Sequence, residues 1–145
     1  MGSKLVREAV SYVIYRPGSE EDFLIVLRPE DDPDLPGVWG LPAGSKREGE
    51  GWGEAVLRAG MEKLGVGLCI LRELAEGEAE RGGYILRMRL YEAAIAVGRP
   101  RVPGPFGGTQ YEAWRWGVGG DLQEAASKGS LCCRLYLARG EGWKR

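Results

Sequence analysis

Residues 41–66, LPAGSKREGEGWGEAVLRAGMEKLGV, limit what this chain can become more than any other stretch. A short apolar segment at 38–41 runs into a loop rich in Gly and Pro, and the spacing then predicts a helix over 50–64. Ala55, Val56, Ala59 and Met61 supply one apolar stripe along it. Glu54, Arg58 and Glu62 recur at i, i+4 and i+8, a spacing that supports a helix through charge pairing. Gly60 inside the helix costs about 1 kcal/mol relative to alanine. Gly65 stands where a left-handed residue ends a helix.

Gly44, Glu50, Arg58, Glu62, Gly65 and Val66 carry a further message through their spacing. The stretch resembles the signature of the Nudix hydrolases, which runs Gly, five residues, Glu, seven residues, then Arg-Glu-apolar-any-Glu-Glu-any-Gly-apolar. The resemblance implies a mixed α+β sheet in an α/β/α sandwich, and hydrolysis of nucleoside diphosphates linked to a further group. It implies a divalent cation, Mg²⁺ or Mn²⁺, held by oxygen ligands against the substrate phosphates. Mapped onto this chain, it makes Glu62, Arg58 and Glu50 the candidate catalytic residues. Arg58 and Glu50 correspond to the family's pair that orders the loop. Glu62 and the Gly44 loop become candidate metal ligands, with Glu112 added from its place on a late strand.

Three positions depart from that signature: Ala59 and Lys63 replace glutamates, and Gly60 replaces an apolar residue. Ala59, Glu62 and Lys63 stand at i, i+3 and i+4, so the sequence places them on one helix face. Only one carboxylate of that face remains. Glu54 does not replace the others, because it lies roughly 12 Å along the axis from Glu62. Lys63 suggests an ammonium that takes part of the cation's place and binds phosphate directly. A unit charge pair at about 4 Å and an effective dielectric of 20 is worth on the order of 4 kcal/mol before desolvation. Such a charge supports binding without activating water as a divalent metal does.

The rest of the chain supplies a sheet. Strands are expected at 5–15 and 22–28, joined as a hairpin, then at 66–74, 83–97 and 111–117. Residues 29–37 read as a solvated acidic loop, and 76–82 as a charged turn. Residues 98–109 hold too much Pro and Gly for a regular element and read as a functional loop. Its Arg99, Arg101 and Phe106 join Gly44 and Lys63 as candidate substrate contacts, with Tyr111 and Trp39 as further rings for stacking a base. Trp114 and Trp116 alternate on one strand and are expected to share a packed face. Short helices are expected at 121–128, with Asp121 near its start, and at 130–139.

Composition bounds the remaining choices. A chain of 145 residues with 43% hydrophobic and 28% charged residues reads as one soluble globular domain, residues 1–145. A net charge of −1 argues against general nucleic-acid binding. No apolar run is long enough to span a bilayer, and the first residues lack a signal peptide's apolar core. With no histidine, histidine-based catalysis and metal ligation are excluded. Cys69, Cys132 and Cys133 read as buried thiols of a reducing cytoplasm rather than a disulfide framework. The lack of asparagine beside abundant Arg and Glu is one mark of thermophile proteins.

The reading favoured is a protein that binds a nucleoside diphosphate-linked compound, with pyrophosphohydrolase activity weakened or lost. Two alternatives stay open: an active Mg²⁺-dependent enzyme, and an inactive domain serving as a protein or RNA binding module, with a homodimer as one arrangement.

Overall fold

Alternation along two strands builds both faces of the core. In strand β1 (Leu5–Ile14), Ala9 and Val13 point into one apolar cluster, while Val10, Tyr12 and Ile14 point into another. Strand β2 (Phe23–Leu27) does the same, sending Phe23 and Ile25 one way and Leu24 and Val26 the other. A two-residue side-chain period gives each strand two buried faces. The computed structural model describes residues 5–102 and 110–142.

The remaining strands are β3 (Trp39–Gly40), β4 (Ala43–Ser45), β5 (Gly67–Arg81), β6 (Tyr84–Val97) and β7 (Ala113–Gly117). They form two sheets, ordered β4-β1-β6-β5 and β3-β2-β7. Among the described residues only β1 and β6 pair in parallel. Helix α1 (Trp52–Leu64) covers one face through Ala55, Val56, Ala59 and Leu64. Helix α2 (Gln123–Ser127) and helix α3 (Leu131–Gly142) cover the other, where Ala125, Leu131, Cys132 and Cys133 are buried. The mixed sheet between helices is the α/β/α arrangement expected. Among the described residues no helix is long and apolar enough to cross a membrane.

Several local expectations are corrected. Strands β1 and β2 are not a sheet hairpin: one isolated bridge, Tyr15 to Phe23, joins them before they enter different sheets. The charged residues 76–81 are not a turn but the end of β5. Ion pairs across the strands explain this, with Arg87 on Glu78 at 2.8 Å and Arg89 on Glu76 at 3.5 Å. The acidic loop is not wholly solvated. Asp32 is buried, and its carboxylate accepts from the Leu35 and Asp34 amides and from Arg28. Cys69 and Met61 are exposed rather than buried. Trp114 and Trp116 do share a face, their rings edge-on at 5.5 Å.

Candidate functional site

Helix α1 meets strand β4 where both are thin. A Cβ on Gly44 would stand 3.0 Å from the Cβ of Ala59, so the close approach needs small residues on each side. Ala59 is 1% exposed and belongs to the core. It does not share the open face of Glu62 and Lys63, contrary to the face expected from helical spacing. Gly60 is also a packing residue. A Cβ there would fall 2.5 Å from Leu68, whose side chain already fills the space that an apolar residue at this position would take. Gly65 closes the helix with φ 67°.

The loop between β4 and α1 is tied by Arg58. Its guanidinium donates to both Glu50 oxygens at 2.7 and 3.0 Å, to Glu62 at 3.0 Å, and to the Ser45 carbonyl. The Arg47 amide adds a further bond to Glu50 at 2.9 Å. Hydrogen bonding from Arg58 therefore holds the Glu50 carboxyl down at about 2. The planar fork of arginine suits this double contact.

Beside this knot a cleft of about 690 Å³ opens. Gly44, Arg58, Glu62 and Lys63 line it, together with Arg28, Arg47, Arg81 and Lys128. Asp34 and Glu62 are the carboxylates among its described lining residues. Both Glu62 oxygens are taken by cations, one by Arg58 and the other by Arg47 at 3.3 Å. Lys63 lies with its ammonium 5.4 Å from the centre of the Tyr111 ring. Burial, then the nearby positive charge of Arg28, push its pKa below the ordinary 10.5. Tyr111 is a wall rather than a stacking platform. It is 4% exposed, and its hydroxyl is fixed by the Ala43 amide at 2.8 Å.

Among its described lining residues the cleft offers a cation the carboxylates of Asp34 and Glu62. Among the described residues no group of three or more Asp, Glu, Cys or His side chains is placed to hold one. The Glu62 carboxylate is held by two guanidiniums, and Lys63 beside it is a cation. The described lining sets four arginines and two lysines beside those two carboxylates.

The other sequence candidates lie elsewhere. Glu112 is exposed and does not line the cleft. Arg101 rests against Gly65 at the end of α1, and Arg99 is exposed; neither lines the cleft. Phe106 lies outside the described residues. Trp39 is half-buried beneath the Arg115 guanidinium, 4.5 Å from its ring centre. Sequence reasoning missed Arg28, Arg47, Arg81 and Lys128. Only the density of arginine along the chain hinted at them.

No family model matches the chain, and no curated protein matches it. Solved structures do. The chain is similar to a MutT Nudix hydrolase from Burkholderia pseudomallei at 26% identity and a TM-score of 0.69, over 88% of this chain and 100% of that one. It is similar to a Nudix hydrolase from Nitrosomonas europaea at 15% identity and a TM-score of 0.72, over 96% and 90%. An ADP-ribose pyrophosphatase from Streptococcus suis is also similar, at 14% identity and a TM-score of 0.59, over 79% and 75%. The likeness runs over most of the chain, which has the fold of the Nudix hydrolases.

Proposed function

We propose that this protein binds a nucleoside diphosphate-linked compound by its phosphates, with basic side chains in place of a metal, and that hydrolysis is weakened or lost. The observation that carries this reading is the Glu62–Lys63 corner of the cleft. Glu62 is neutralised by Arg58 and Arg47, and Lys63 adds a further positive charge beside it. A diphosphate entering there meets ammonium and guanidinium donors that suit phosphate oxygens. Arg58 keeps the Gly44 loop in place through Ser45 and Glu50, so the backbone is ordered before a ligand arrives. None of these groups supplies a base poised to deprotonate water. Glu62 is occupied, and Glu50 is held in its ionised form by Arg58, which uses both of its oxygens.

The likeness to a protein named as an ADP-ribose pyrophosphatase makes ADP-ribose a reasonable first probe. Calorimetric titration with ADP-ribose should give the same affinity in EDTA as in Mg²⁺, with little product after long incubation. Binding seen only with Mg²⁺, or rapid Mg²⁺-dependent turnover, would overturn the reading and restore an active pyrophosphohydrolase.

A further inference from the structure

The cleft has a second basic end, away from the Gly44 loop. Ser45 is paired with Ala9, and Ala9 with Met88, so the loop lies level with Met88 on β6. Tyr84 sits four residues earlier on that strand, roughly 13 Å away along the sheet. There Arg81 pairs with Tyr84 across the β5–β6 turn, and the Arg81 guanidinium donates to the Gly129 carbonyl at 2.8 Å. That bond ties the end of the hairpin to the segment leading into α3 and fixes where the Arg81 charge stands. Lys128, next in the chain to Gly129, also lines the cleft and is paired with Glu124 at 2.9 Å. Between the two ends the wall is apolar. Leu86 and Met88 share one face of β6, and Leu35 and Leu131 also line the cleft.

We infer that Arg81 and Lys128 form a second anion subsite, so that the preferred ligand is a nucleoside carrying phosphate on both sides. The inference rests on the reading of the Lys63 end as a diphosphate site. The diphosphate meets Lys63, Arg58 and Arg47. The nucleoside lies along Leu86, which is partly exposed where Met88 is buried. The second phosphate reaches Arg81 and Lys128. A nucleotide with a single phosphate chain leaves that second pair of charges unused.

The test compares ADP with adenosine 3′-phosphate 5′-diphosphate by calorimetry in EDTA. The wild type should bind the 3′-phosphorylated compound about tenfold more tightly than ADP, as one charge-assisted phosphate contact gives. The Arg81→Gln/Lys128→Gln double variant should lose that preference while keeping the wild-type affinity for ADP. Lys128→Gln alone, at an exposed position, should lose part of it. Equal affinity for the two nucleotides in the wild type, or a preference that survives the double variant, would overturn the second subsite and leave the diphosphate site standing. Failure of the wild type to bind either nucleotide would remove the diphosphate site itself, and the second subsite with it.

Discussion

Ala59 and Lys63 stand one helical turn apart on α1, and the structure puts them to opposite uses. Ala59 lies at the inner edge, pressed on Gly44 and closed to solvent. Lys63 lines the cleft, its ammonium 5.4 Å from the centre of the Tyr111 ring. Both occupy positions where the resembled signature has glutamate. Ala59 is part of how the loop packs, and Lys63 adds a positive charge to the cleft lining. The two positions therefore differ in kind, one steric and one electrostatic.

Substitution by glutamate at each position separates them. Ala59→Glu should destabilise the protein by about 4 kcal/mol, because it drives an unpaired carboxylate into a closed site. Urea unfolding would read this directly. Lys63→Glu should change stability far less, since the new carboxylate faces a cleft lined by Arg28, Arg47 and Arg58. It should abolish ADP-ribose binding in EDTA. If Ala59→Glu is tolerated as well as Lys63→Glu, the two positions are alike and the distinction fails.

Arg58→Ala comes next in size. It strands Glu50 and leaves Glu62 to Arg47 alone, both only part-exposed, and should cost about 2 kcal/mol, less than a fully buried pair. The same variant tests the pH profile. Glu50 has its pKa lowered from 4.5 to about 2, so its stabilising contribution is present above pH 4.5 and is lost as the pH falls towards 2. In Arg58→Ala that acid limb should flatten.

A smaller effect lies at alkaline pH. Lys63 holds its proton less firmly than the ordinary 10.5 because of burial and then Arg28. The unfolded chain therefore keeps more protons in that window, and this residue's contribution to stability rises with pH. Ligand affinity moves the other way. ADP-ribose should bind more weakly as the pH rises towards 10.5, and Lys63→Gln should remove that part of the dependence.

Much of this was legible in the sequence, and for definite reasons. The Glu50–Arg58 pair was legible through the resemblance of the 44–66 stretch to a known signature, and the two side chains do meet. The strands at 5–14 and 23–27 follow from their dense β-branched, aromatic and apolar content. What stayed hidden was set by distant partners. The end of β5 is rich in charge and reads as a turn until Arg87 and Arg89 on β6 pair with it. Arg28, Arg81 and Lys128 come to the cleft from three separate stretches of the chain, and no local pattern links them. Gly60 looks like a flaw in its helix until Leu68 is seen to occupy the space beside it.

The most direct test of the central claim is calorimetric titration of the wild type and Lys63→Gln with ADP-ribose in EDTA. The wild type should bind, and Lys63→Gln should bind at least about tenfold more weakly, the loss expected for one charged contact to phosphate. Binding that is absent in EDTA, restored by Mg²⁺ and indifferent to the charge at Lys63 would contradict the account.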